Sequence, residues 1–105
     1  MPKIVVRYRP AAEHADTNQR LVEAVFEELA ATQPTNFTYA TLRLADGTFI
    51  HIADVSEGDN PLDRLRTFAA FLNGIGERCD PGQGPNPQQA TLIGSYLTPD
   101  PTPDD

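Results

Sequence analysis

Four short stretches of the chain carry the two-residue alternation or the β-rich composition of strands, and two longer ones carry apolar residues at helical spacing. "KIVVRYR", Lys3 to Arg9, sets Ile4, Val6 and Tyr8 on one face and Val5, Arg7 and Arg9 on the other. Pro10 follows and ends the strand. From about Glu13 to Ala31, Leu21, Val22, Val25, Phe26 and Leu29 fall on one side of a helix, with Asp16 and Thr17 as candidate caps. Pro34 closes it. "FTYATLRL", Phe37 to Leu44, and "TFIHIADV", Thr48 to Val55, read as two strands joined at "ADG".

That turn admits two registers. With Ala45-Asp46-Gly47 as a three-residue loop, Leu44 faces Thr48. Ala40, Leu42, Leu44, Ile50 and Ile52 then share one face, and Phe37, Tyr39, Thr41, Arg43, Phe49 and His51 share the other. A two-residue Asp-Gly turn would instead group His51 with Leu42, Leu44 and Phe49. The first is preferred because it separates an aliphatic face from a mixed aromatic and polar one.

"NPLDRLRTFAAFLNGIGERC" predicts the second helix, with Asn60 as N-cap, Pro61 at the first helical position and Asp63 in the first turn. Leu65, Phe68, Leu72, Ile75 and Cys79 form its apolar stripe, and Gly74 and Gly76 kink it. "DPGQGPNPQ" reads as a loop and "ATLIGSYL", Ala90 to Leu97, as the last strand, beside the first, where Tyr8 and Tyr96 would be packing partners. The expected organisation is one domain over residues 1–97 and a disordered, acidic, proline-rich tail over 98–105.

The order strand–helix–strand–strand–helix–strand predicts a ferredoxin-like α+β fold. Its antiparallel sheet has four strands in the order 4-1-3-2, with both helices on one face. The other sheet face keeps its apolar side chains, which predicts a homodimer formed face to face.

Charge and composition narrow the partners. Eight basic and fifteen acidic residues give a net charge of −7 over 105 residues, and removing the three tail aspartates leaves about −4. An acidic surface argues against nucleic acid and against an anionic membrane. One cysteine, Cys79, excludes an intramolecular disulfide, and no apolar run reaches the length of a membrane span. A cytoplasmic protein is the expectation.

"VVRYRP", "VFEELAATQP", "YATLRLADGTFIHIAD", "NPL" with its following phenylalanines, and "LIGSYL" resemble, over residues 3 to 97, the dimeric α+β barrel superfamily. Within it they resemble the small proteins grouped with antibiotic biosynthesis monooxygenases. The resemblance implies a pocket between sheet and helices and cofactor-free oxidation of an aromatic or polyketide-like compound. The chain has no Trp. It therefore lacks the asparagine–tryptophan–arginine set of some members, and with no histidine on its second helix it lacks the helical ligand of the haem-degrading ones.

His51 and Tyr39 are the candidate catalytic pair: a histidine whose ordinary pKa lies near neutrality as base, and a phenol to steady an oxyanion. Arg43, Arg7 and Phe49 are the candidate substrate-binding residues, the arginines neutralising a developing enolate or phenolate. His14 reads as solvated and Cys79 as a small buried hydrophobe. The two histidines with Asp54 or Glu57 make no metal set, so neither metal nor organic cofactor is expected. Two other readings stay open: an isomerase or cyclase on the same scaffold, or a ligand-binding or interaction barrel in which these residues only pack.

Overall fold

A computed structural model describes residues 3–55 and 60–96 of the chain. Strand β1 spans Lys3–Tyr8, helix α1 Ala15–Thr32, β2 Phe37–Arg43 and β3 Phe49–Val55. Helices α2, Arg66–Leu72, and α3, Ile75–Arg78, follow, and β4 is Asn86–Ala90. The strands form one antiparallel sheet in the order β2-β3-β1-β4, the expected topology.

The β2–β3 register is the three-residue one. Arg43 faces Phe49 and Thr41 faces His51. The Leu44 amide donates to the Thr48 carbonyl at 2.8 Å, and the Gly47 amide to the Leu44 carbonyl at 3.0 Å. Gly47 has φ +92, a conformation that costs glycine nothing and an L side chain much. Because β1 pairs Val6 with His51, the face holding Val6, Tyr8, Tyr39, Thr41, Phe49 and His51 is a single surface, and the helices cover it.

Helix α1 begins later than its first polar turn suggests, after a 3₁₀ turn over Ala12–His14 and without a side-chain cap from Asp16 or Thr17. Its buried stripe is Ala15, Asn18, Val22 and Val25, spaced by three and four. The expected second helix is three pieces. Asn60 does cap it, accepting from the Leu62 amide at 3.0 Å, with Pro61 behind it, but only a 3₁₀ turn over Pro61–Arg64 follows. Leu65 is extended, and Gly74, in the left-handed region at φ +77, separates α2 from α3. The interruption rotates the stripe: Leu62, Leu65 and Phe71 are buried, whereas Leu72 is 48% exposed.

The last strand begins four residues earlier than the sequence suggests and ends seven earlier, at Ala90. Pairing with β1 runs from Arg7–Asn86 to Lys3–Ala90, which takes β4 to the first described residue of β1. Pro87 is tolerated because β4 is an edge strand. Thr91 to Tyr96 are outside the sheet and exposed. Tyr96 does not pack on Tyr8: Tyr8 is 2% exposed and Tyr96 89%. The expected tail, 98–105, and Leu97 lie outside the described residues.

On the sheet face away from the helices, Val5, Ala40, Leu42, Ile50 and Ile52 remain partly or largely accessible. A Lys3–Asp54 ion pair of 2.7 Å crosses that face.

Candidate functional site

Strand alternation alone brings three side chains onto the covered face around one point: Tyr8 from β1, His51 from β3, and Tyr39 from β2. His51 is buried. Its Nε2 lies 2.8 Å from the Tyr8 hydroxyl. Its Nδ1 lies 2.5 Å from the Tyr39 hydroxyl and 3.1 Å from Oγ1 of Thr41, its direct cross-strand neighbour. Both ring nitrogens are thus engaged.

The polar chain continues into the helices. Asn18 Nδ2 donates to the Tyr8 hydroxyl at 2.8 Å, and Arg78 donates to Asn18 Oδ1 through Nε at 3.3 Å and Nη2 at 3.2 Å. Arg78 is itself anchored. It donates to the Phe71 carbonyl at 2.6 Å and the Asn73 carbonyl at 3.0 Å, at the C-terminal end of α2. Its guanidinium stacks over the Phe71 ring at 5.6 Å. The Ala11 amide donates to the Arg78 carbonyl at 2.8 Å and Cys79 bridges to Pro10, which ties α3 to the end of β1.

Aromatic rings enclose this chain. Tyr8 stacks on Phe49 at 5.6 Å and on His51 at 5.3 Å, and the Phe71 ring lies 5.2 Å from His51. Burial without a charged partner lowers the His51 pKa from 6.5 to about 4, so the imidazole is neutral at neutral pH. The same burial raises Tyr39 to about 12 and pushes Tyr8 further up.

A cavity of about 160 Å³ opens against the cluster. Ile4, Val6 and Ala53 of the sheet and Leu62, Phe68 and Phe71 of the helical layer make its apolar wall, with Tyr8, Tyr39, His51 and Asn60 supplying the polar groups. A cavity of about 150 Å³ with such walls holds one benzene ring.

Of the residues singled out from the sequence, His51 and Tyr39 meet at this cavity. The others stand elsewhere. Phe49 is 1% exposed and serves as core under Tyr8. Arg43 is exposed at the end of β2, reaching Asp16 at 3.1 Å and Gln19 at 2.6 Å and covering the Phe49 ring at 5.6 Å. Arg7 is exposed and points from the opposite sheet face, since its neighbours Val6 and Tyr8 take the covered one. His14 is half-exposed near Glu13, and Cys79 is partly buried against the core. Among the described residues no group of three metal-ligating side chains comes together.

Asn18 and Arg78 carry no motif, yet the first is legible. Stepping back four positions along the apolar stripe from Val22 lands on Asn18, a polar residue at a core position. It is fully buried.

Fold and covered face together define a ferredoxin-like α+β protein, a fold that solved structures share. One solved structure, called an antibiotic biosynthesis monooxygenase, is similar with a TM-score of 0.63 and 17% identity, covering 90% of this chain and 100% of that one. A protein of unknown function from Nitrosomonas europaea is similar with a TM-score of 0.66 and 13% identity, covering 93% and 94%. A Mycobacterium tuberculosis protein gives 0.64 and 13%, covering 91% and 98%. At these identities the likeness is one of fold. No protein-family model matches the chain, and no curated protein matches it.

Proposed function

We propose that the protein binds a small aromatic compound in the cavity beside His51 and acts on it without a cofactor, as a monooxygenase-like enzyme. The observation that supports this most directly is the apolar cavity of about 160 Å³ whose polar groups converge from three strands. Apolar walls with a few convergent polar groups are the usual make-up of a small-molecule site. The name of one structural neighbour points the same way.

In this reading Tyr39 touches the substrate and His51 works through it, since both imidazole nitrogens already have partners. A phenol held in a dry site stabilises an enolate or phenolate oxygen. The substrate enters as this anion, its acidic proton already lost to solvent, and reacts with dioxygen. A methylene beside such an oxygen becomes a carbonyl, with one oxygen atom retained and the other leaving as water. Without dioxygen the same stabilisation gives isomerisation.

The second reading is a ligand-binding barrel with no chemistry. The saturation of both His51 nitrogens favours it, because a free general base is then missing from the cluster. Oxygen uptake with anthrone- and quinol-type compounds separates the readings. Uptake that depends on Tyr39 supports the enzyme; saturable binding without uptake or rearrangement supports the barrel.

The partner proposed for the open sheet face is a second copy of the chain, covering Val5, Ala40, Leu42, Ile50 and Ile52. No helix among the described residues is long and apolar enough to cross a membrane. A cytoplasmic setting is proposed on the sequence features given above.

A further inference from the structure

Arg78 is a donor through every nitrogen and accepts nothing. The two bonds to the Phe71 and Asn73 carbonyls, with the ring of Phe71 beneath, hold its guanidinium in place. An amide facing a guanidinium must present oxygen, because its NH₂ would set donor against donor. Asn18 therefore turns Oδ1 to Arg78, and its NH₂ is left facing Tyr8, as the distances of 3.2 and 2.8 Å show.

The consequence runs along the chain. The Tyr8 oxygen accepts from Asn18, so its own proton goes to its other partner, His51 Nε2, at 2.8 Å. An accepting Nε2 leaves the single proton of a neutral imidazole on Nδ1. Nδ1–H is then donated toward Tyr39 and Thr41, whose hydroxyl oxygens lie 2.5 and 3.1 Å away. The Tyr39 hydrogen turns away from His51 and is left for the Thr41 hydroxyl or for an acceptor in the cavity that Tyr39 lines.

We infer that Arg78, acting through Asn18 and Tyr8, is a positioning residue that fixes the proton direction across His51. The cavity consequently presents a hydroxyl donor and takes a one-ring aromatic ligand bearing an acceptor oxygen: a ketone, a quinone carbonyl, or an enolate or phenolate. An aromatic alcohol, whose hydroxyl both accepts and donates, is insensitive to that direction. The ligand part of this inference rests on the cavity being the binding site proposed above; the direction of the chain does not.

The tautomer is directly measurable by long-range ¹H–¹⁵N correlation on the full-length protein labelled at histidine. Neutral His51 should carry its proton on Nδ1 at pH 7, and an Nε2–H tautomer or an imidazolium there would overturn the inference. Asn18→Asp keeps a partner for Arg78 but can only accept, so Tyr8 must reverse and His51 must move to the Nε2–H form. Arg78→Lys, still a donor, should keep the wild-type tautomer, and it serves with the wild type if Asn18→Asp does not fold. An unchanged tautomer in folded Asn18→Asp also refutes the device.

Ligand choice is read by titrating acetophenone against benzyl alcohol. Acetophenone should bind the wild type about two- to tenfold tighter than Asn18→Asp, the scale of one hydrogen bond, while benzyl alcohol, whose hydroxyl accepts or donates, should change little. Equal acetophenone affinities in the wild type and Asn18→Asp overturn the ligand assignment. If neither compound enters the cavity while the tautomer is as inferred, the binding-site reading fails and the Arg78 device stands.

Discussion

Tyr39 and His51 are diagonal neighbours on adjacent strands, and the phenol oxygen of one lies 2.5 Å from Nδ1 of the other. Tyr39→Phe deletes that oxygen and leaves the ring in its stacks with Phe26 and Phe37. Thr41 still serves Nδ1. The expected stability loss is about 1 kcal/mol, a few degrees in Tm. Turnover, where an active compound is found, should fall about a hundredfold, as for loss of an oxyanion donor. Unchanged turnover would remove Tyr39 from the reaction.

His51→Gln separates packing from chemistry. His51 is 5% exposed and joins three strands through Tyr8, Tyr39 and Thr41. Glutamine cannot meet all of them from one rotamer, so denaturant unfolding should show a loss of about 1–3 kcal/mol. If His51 also orients Tyr39 for catalysis, turnover falls with it. A destabilised variant with intact turnover would assign His51 to the fold alone.

Acid should expose the same residue. Unfolding restores the His51 pKa from about 4 to 6.5, so the unfolded chain binds the extra proton between those values. Stability is unaffected by this group above about pH 6.5 and declines as pH falls toward 4, where the loss amounts to about 3 kcal/mol. Urea midpoints taken from pH 7 to pH 4 should fall more steeply for the wild type than for His51→Gln. Parallel curves would show that the imidazole is not withheld from protons by the fold.

The open sheet face predicts assembly. Light scattering at micromolar concentration should give about twice the chain mass of 11.5 kDa. Leu42, 51% exposed on that face, should tolerate lysine in a monomer and reject it in a face-to-face dimer. Leu42→Lys should therefore dissociate the assembly with little loss of secondary structure. A monomeric wild type refutes the dimer.

Local signals were legible in the sequence where one element decided the outcome alone. The Ala45-Asp46-Gly47 loop, preferred over a two-residue turn because it separates the two faces, gives the observed hairpin and with it the meeting of Tyr39, Thr41 and His51. Asn60 and Pro61 mark a start whatever follows. Outcomes that depend on a partner's length or position were hidden. "ATLIGSYL" has the composition of a strand, but β1 begins at Lys3 and stops pairing at Ala90. "NPQQA" has loop composition, yet it needed only an edge to pair with. The helical stripe was read through Leu65 and Gly74, where the backbone leaves the helix and rotates Phe71 inward in place of Leu72. Arg78 gives no sign of itself, because its role depends on an asparagine 60 positions away.

The aromatic lining has an optical consequence. The chain has three tyrosines and no tryptophan, so excitation energy has no indole to drain into. Two of the three, Tyr8 and Tyr39, border the cavity with hydroxyls bonded to His51, while Tyr96 is exposed at 89%. A compound entering the cavity would change the emission of the inner pair and leave Tyr96 as an internal reference. The protein thus carries its own fluorescent gauge of occupancy, needing neither label nor substitution.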